Sequence, residues 1–466
     1  MSRPAASPSE TAPTPPLPGT PSAPSLKRVL GLWDLIVYGM IIVQMVAPVP
    51  IAGLLEQRSN GHAVTVVLIA LLGMMITAVS YGRMAVVYPM AGSAYSYVAR
   101  TINPHLGFFT GWAMFLDYLL IPLISAIIPA LAIQRLLPGI PFAALTFLIV
   151  LGMTALNLRG IKATAHANMA LLLVTSAVVG LFIILALRFL WQRAGWGGIF
   201  SMHPLYNPAT FKSHAIFGGI SLAVLSYIGF DGVSTLAEDV VNPKRNVVLA
   251  TVMVCFFTGV LSATELYFFH QVIPDWKSVA DPNTYYLDVM KAVGGPLLFT
   301  VFSIIMCVSQ FGAGFTGQVS AARLVYGMGR DNVLPRSLFG YLSPRNQNPT
   351  RNIILVGVLA FIGTVLLSFD TACDLLNFGA YLGFMGVNLS SFVCYYLKPP
   401  PGHRRHFLWD AMLPLAGFLL CFVFWLGLPH PAQIVGGTWL VIGMAYCAYK
   451  TKGFREKPLL FDFRES

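Results

Sequence analysis

Ser226-Tyr227-Ile228-Gly229-Phe230-Asp231-Gly232-Val233-Ser234-Thr235-Leu236-Ala237-Glu238-Asp239 lies in the middle of an apolar run that begins near His214. Two glycines and an aspartate interrupt that run. In lipid an unpaired backbone amide or carbonyl costs several kcal/mol, so a break there needs a protein-lined or wet cavity. An ionisable group at that depth marks a functional site by default. The stretch reads as a broken transmembrane helix whose free backbone ends and Asp231 face a bound solute. The alternative is a glycine notch for helix packing, with Asp231 at a helix end. The rest of the chain decides between them.

Of 466 residues, 56% are hydrophobic and 10% charged, and the mean hydropathy is +0.72. A soluble chain of this length carries far more charge, so an all-α, polytopic membrane protein is expected. A span needs about 20 apolar residues. About twelve such runs are read, near 30–54, 62–87, 106–134, 141–159, 166–190, 214–240, 246–272, 296–326, 352–369, 373–397, 408–428 and 432–450. Residues 1–25, rich in Pro, Ser, Thr and Ala, are expected to be a disordered cytoplasmic tail. Residues 26–450 form the membrane domain, and 451–466 a cytoplasmic C-terminal tail. The segments 191–213 and 274–296 read as external linkers.

The charges set the orientation. With the amino terminus inside, only Arg58, Arg135, Arg188, Arg193, Lys212, Lys277 and Lys291 fall outside, against the other 22 of the 29 Lys and Arg. Cytoplasmic enrichment of basic residues is the positive-inside rule. The formal charge of +11 therefore reports topology and a lipid bilayer, not a nucleic-acid partner. Six cysteines lie in apolar segments without CxxC spacing, so no zinc site or disulfide framework is indicated. No phosphate-binding loop, zinc-protease motif or serine elbow is found. A carrier in the cell membrane, without a cofactor or metal, is expected rather than an enzyme.

Span one is interrupted as well. Val37-Tyr38-Gly39-Met40-Ile41-Ile42-Val43-Gln44-Met45-Val46-Ala47-Pro48-Val49-Pro50 carries a glycine, two prolines and a polar group at depth, Gln44. Proline removes an amide and clashes with the preceding turn. If the first ten spans are two inverted halves of five, spans one and six correspond. Matched Gly/Pro-interrupted spans point to a transporter binding site.

Pro89-Met90-Ala91-Gly92-Ser93-Ala94-Tyr95-Ser96-Tyr97, followed by Gly107-Phe108 and Gly111-Trp112, resembles the internal loop and third span of the amino acid–polyamine–organocation superfamily. Arg330-Asp331-Asn332-Val333-Leu334-Pro335, followed by Phe339-Gly340-Tyr341 and Pro344, resembles its loop after span eight. A finer likeness, to bacterial putrescine importers, rests on Ile102-Asn103-Pro104-His105, Leu116-Asp117-Tyr118, the break from Gly229 to Asp239, and Met412-Leu413-Pro414-Leu415. The resemblance implies a 5+5 inverted-repeat core with broken helices 1 and 6, two additional helices, and alternating access. It implies import of a polyamine such as putrescine, or of an amino acid in a permease of the same fold. Two departures stand out. Amino-acid carriers of this superfamily hold the substrate carboxylate on a Gly-rich break in span one, where this chain has the bulky Ile42-Val43-Gln44-Met45. Many proton-coupled members carry a lysine in span five, where this chain has Thr175. Coupling is then left to a titrating carboxylate or to the membrane potential.

Asp117 lies about 11 residues into span three, about 17 Å at 1.5 Å per residue and close to the bilayer midplane. Asp231 lies at a similar depth. Two carboxylates there suit a cationic substrate, though Asp117 also suits a helix–helix hydrogen bond. Tyr118 points about 100° away from Asp117 around the helix. Ser226 and Tyr227 end the first half of span six with free carbonyls, beside Gly229. Tyr227 and Phe230 offer a cation–π wall or core packing. Gln44 reads as a substrate contact or an interhelical hydrogen bond. Glu238 and Asp239 read as a gate or a solvated helix end. Glu265 falls in span seven near the outer border. Gly107 and Gly111 read as helix-contact residues.

Overall fold

Long apolar runs set the helices of this chain; prolines, glycines and short polar caps set their ends. A computed structural model describes residues 30–89, 93–160, 165–330, 334–344 and 348–455, without the side chains of 165–168, 235, 238 and 239. The tail expected at 1–25, most of that expected at 451–466, loop residues Met90–Gly92 and Asp331–Val333, and the side chains of the gate pair Glu238 and Asp239 lie outside the described residues.

The chain runs through α1 (Leu32–Val43), α2 (Ala52–Ser59), α3 (Ala63–Val87), α4 (Ser93–Thr101), α5 (Pro104–Leu136), α6 (Phe142–Leu158), α7 (Ala165–Ile199) and α8 (Ser213–Ala223). Two 3-10 segments follow, Val224–Tyr227 and Phe230–Asp239. Then come α9 (Pro243–Val272), α10 (Tyr285–Arg330), α11 (Arg336–Phe339), α12 (Thr350–Leu366), α13 (Phe369–Phe392), α14 (Leu413–Leu426) and α15 (His430–Lys450). Among the described residues, nine helices are long and apolar enough to cross a membrane, and α1, α6 and α12 are shorter apolar helices. The expected linkers are partly helical. α7 reaches Ile199 through a bend at Ala194–Gly195, and Tyr285–Gly294 is helical before a bend at Gly295.

Small residues let the helices approach. A Cβ at Gly317 of α10 would lie 2.5 Å from Ile121 of α5, and one at Gly379 of α13 would lie 2.5 Å from the carbonyl oxygen of Ala113. Gly107 and Gly111 sit against Ala99 and Tyr95 of α4. The indoles of Trp112 and Trp439 stack at 4.7 Å, and each donates its N–H to the other residue's carbonyl, at 2.9 and 3.0 Å. That pair holds α15 on α5.

Both expected breaks are present. α1 stops at Val43, and Gln44 takes φ +67°. Tight local bonds then carry the chain to α2, from the N–H of Ala47, Val49 and Ala52 to the carbonyls of Gln44, Val46 and Val49. The second break falls at Gly229, with φ +114°. Ile42 is pressed into this second break. A Cβ at Gly229 would lie 2.9 Å from its Cγ2, and one at Gly232 would lie 2.7 Å from its Cδ1. The two glycines thus make the notch in which the first broken span docks on the second. The packing notch and the helix break, alternatives in the sequence, coexist.

The two glycines serve different ends, and substitution separates them. Gly232→Ala meets only the Ile42 δ-methyl. It is expected to cost about 1–3 kcal/mol by overpacking, most of it recovered in Gly232→Ala/Ile42→Val. Gly229→Ala adds a left-handed backbone penalty of about 1–2 kcal/mol, and Ile42→Val leaves it unrelieved. Thermal denaturation of the four variants in detergent reads the difference. Equal rescue of both would refute the assignment.

Candidate functional site

Where α1 and the first 3-10 segment stop, a cavity of about 360 Å³ opens between them and α5, α7 and α10. Gln44, Asp117, Tyr118, Thr175, Gly229 and Asp231 all line it. Asp117 projects from the middle of α5. Its residue is 7% exposed, and its Oδ1 has no hydrogen-bond partner. The Asp231 carboxyl sits on the broken end, beside the backbone amides of Gly229, Asp231 and Gly232. The two carboxyl groups are close enough to act on each other. Among the described lining residues there is no Lys, Arg or His. The remaining wall is largely apolar, with Ile121, Ile124, Ile128 and Leu172 among its residues.

The spacing of prolines in α5 adds acceptors. Pro122 and Pro129 have no N–H to give to the carbonyls four residues back, those of Tyr118 and Ser125. Both of those residues line the cavity. Ser309 and Gln310 of α10 also line it, and the Ser309 carbonyl accepts from Gln44 Nε2 at 3.4 Å. The sequence reading passed over this Ser-Gln pair, although it is the same signal as Gln44, polar groups inside an apolar run. Thr175 turns its hydroxyl back to the carbonyls of Leu171 and Leu172, at 2.8 and 3.0 Å.

Three residues of the quoted stretch lie elsewhere. Tyr227 is fully buried and donates its hydroxyl to the Val67 carbonyl at 2.8 Å, pinning the break to α3. Phe230 is fully buried against Tyr81 and Phe384, with ring centroids 5.4 Å from each. Ser226 is buried and absent from the cavity wall. Of the two readings of Tyr227 and Phe230, a cation–π wall or core packing, core packing holds. The physical reason is winding. A 3-10 segment turns about 120° per residue against about 100° in an α-helix, so faces read at helical period drift across the break.

An ion-pair cluster joins α2 to α13 beside the cavity. Arg58 of α2 forks onto Asp374 of α13, at 2.5 and 2.7 Å, and also reaches Asp370. Asp374 is 2% exposed, and Phe369 and Leu376 of the same helix line the cavity. A second bond holds α2 to α9, from Glu56 Oε2 to His270 Nδ1 at 3.1 Å.

A helical bundle with two facing broken helices and a cavity between their ends is the architecture of a membrane carrier. The amino acid permease family model matches residues 30–447, and the chain belongs to that family. The low-affinity putrescine importer PlaP of Escherichia coli (strain K12) is 30% identical over 436 residues, covering 92% of this chain and 95% of that protein. The methylthioribose transporter of Bacillus subtilis (strain 168) is 26% identical, covering 92% of this chain and 94% of that protein. The branched-chain amino acid permease BcaP of Lactococcus lactis subsp. cremoris (strain MG1363) is 25% identical, covering 82% and 85%. The relatives so named are transporters and permeases, and the chain is a multi-pass membrane protein.

The Arg58 bridge can be opened by removing one charge. Losing one partner of a buried pair costs roughly 3–5 kcal/mol, and less here because Asp370 is half exposed. Arg58→Gln is expected to speed reaction of a cysteine introduced at Leu376 with a water-soluble maleimide by several-fold, in a background without the native cysteines. Unchanged labelling would mean that the bridge does not hold α2 shut.

Proposed function

We propose that the chain is a secondary transporter that imports a diamine such as putrescine by alternating access. One observation carries the reading: Asp117 and Asp231 line one cavity in which no described lining residue is basic. A diamine has an ammonium at each end and no carboxylate, so it needs two acceptors and no anion site. The unpartnered Asp117 and the freed Tyr118 carbonyl suit one ammonium; Asp231 suits the other. The isoleucine and leucine wall suits the methylene chain.

An amino acid asks for something different. Its carboxylate needs free amides, and at the second break the Gly232 amide is already given to the Gly229 carbonyl at 3.0 Å, with the Asp231 carboxyl beside it. At the first break Gln44 and Met45 fill the space. This favours the diamine over the amino-acid alternative, to which the branched-chain permease relatives otherwise lend weight. The membrane potential drives most of the uptake in this reading, about 2.3 kcal/mol per charge per 100 mV, with a smaller contribution from the proton gradient.

The finer architecture belongs to the same proposal. Twelve spans form two inverted halves of five plus two helices, α1–α2 and the second broken run occupying matching places. Both termini lie in the cytoplasm, and the protein resides in the plasma membrane. Single cysteines placed beside Arg330 and Asp331 are expected to stay unlabelled by an impermeant reagent added to intact cells. Strong labelling there would reject this topology.

Binding tests the substrate. Truncating one partner of a buried charged contact costs about 2–5 kcal/mol. Asp231→Asn and Asp117→Asn are each expected to weaken putrescine binding at least roughly tenfold, about 1.4 kcal/mol, in protein that still elutes as a folded species. Tyr118→Leu is expected to weaken it less. Wild-type-like affinity in both aspartate variants, or a preference for leucine over putrescine, would replace this reading with the permease one.

A further inference from the structure

Glu265 is a buried acid to which the cavity gives no role. It lies on α9, about 10 Å from the Val272 end at 1.5 Å per residue, and is 1% exposed. Both carboxyl oxygens lack a hydrogen-bond partner. Thr258, Ser262, Glu265 and Phe269 fall on one stripe of the helix, at spacings of four, three and four. Thr258 donates to Met40 Sδ at 3.6 Å, and Met40 lines the cavity. Ser262 is 1% exposed, and its hydroxyl has no partner. Phe269 packs edge-on against Phe182 of α7, with centroids 5.0 Å apart. The stripe therefore faces the seam between α1 and α7, with Glu265 one turn beyond Ser262.

Ionisable groups on the neighbouring elements are engaged elsewhere. Glu56 of α2 and His270 of α9 hold each other. The Tyr285 hydroxyl of α10 donates to the carbonyls of Phe269 and Ile273. Tyr227 is bonded to Val67, and Asp231 sits beside backbone amides of the break. Neither these nor Tyr38 on α1, Tyr81 on α3 or Arg188 on α7 is bonded to Glu265, and no described charged side chain acts on it. A carboxylate anion without a partner is costly in such a place, and a protonated carboxyl far less so.

We propose that Glu265 is a proton site of the transport cycle. It carries one proton while the seam of α9 with α1 and α7 is shut, as here. It gives that proton to water when α1 moves and the seam is wetted. Each turn of the cycle then takes one proton from the outer water and delivers it to the inner water. The proposal rests on the carrier reading but not on which solute is carried. It also accounts for proton coupling in a chain with Thr175, which cannot titrate, in span five.

Proteoliposomes holding the full chain test it with radiolabelled putrescine in two arms. In one arm an inward-negative potential drives uptake at equal pH. In the other an outward-acid pH gradient drives it with the potential clamped at zero. The wild type is expected to take up putrescine in both arms, more in the first, and to acidify a trapped pH dye in the second. Glu265→Gln is expected to keep the potential-driven arm within about twofold, which also reports folding, and to lose the pH-driven arm at least tenfold. The proposal is overturned if Glu265→Gln keeps the pH-driven arm. It is equally overturned if the wild type shows no solute-dependent acidification, if His270→Gln alone removes the pH-driven arm, or if replacing sodium by choline does so. The acidification measurement decides the matter on the wild type should Glu265→Gln fail to fold. If the wild type moves no putrescine in either arm, the diamine reading fails, and the same arms run with leucine decide Glu265.

Discussion

Hydrocarbon offers no partner to a free peptide group, and this chain breaks two helices where they touch. Each break would cost several kcal/mol per unpaired group if it faced lipid. The cost is limited by turning the breaks toward each other. Ile42 seats in the notch made by Gly229 and Gly232, the first break is threaded by tight local bonds, and the second is wound as 3-10 helix. A 3-10 run of this length is uncommon and marks strain or a hinge. Tyr227 anchors it to α3 through the Val67 carbonyl. Much else follows from that packing: the cavity lies where the two broken ends cannot fill space, and the acids line it because they sit on or beside those ends.

The two carboxylates are not equivalent. Asp231 belongs to the break and stands beside the amides it exposes. Asp117 stands on an intact stretch of α5 and keeps one oxygen without any partner. A buried acceptor left in that state is destabilising unless something occupies the cavity. One acid therefore sets the geometry and the other supplies the unmet demand. The two proline-freed carbonyls of α5 belong to Tyr118 and Ser125, which line the cavity on the same helix as Asp117.

The sequence made the membrane architecture, the pairing of broken spans and the sharing of depth by Asp117 and Asp231 readable, because apolar run length and Gly/Pro interruption act locally. It made the facing of individual residues across the break much less readable. Ser226 and Tyr227 read as the free end of a half-helix, and Tyr227 and Phe230 as a cation–π wall or core; the side chains of all three are buried away from the cavity wall. The Arg58–Asp374 bridge was also hidden, since it joins residues 316 apart in sequence and nothing in either segment names its partner. Ser309 and Gln310 were visible in principle, as polar groups within an apolar run. They were passed over because α10 has no break to draw attention to them. Glu265 was seen but could not be weighed, because the absence of a partner is a property of packing and not of sequence.

The halves of the first broken span are held by different neighbours. α1 is tied at its start to the far end of the second break, where Val241 N–H donates to the Leu30 carbonyl at 2.9 Å. α2 is tied to α13 through Arg58 and to α9 through Glu56. Between them lies Gln44, in a positive-φ conformation that few residues other than glycine adopt readily. A continuous helix would transmit any release at one end to the other. A chain turned at Gln44 interrupts that path: its backbone bonds are local, and its side chains are tied to other helices, Gln44 donating to the Ser309 carbonyl of α10 and Met45 Sδ accepting from Ser176 of α7. The strained turn at Gln44 thus separates the contacts that hold α1 from those that hold α2, and the cavity lined by Asp117 and Asp231 opens beside that turn.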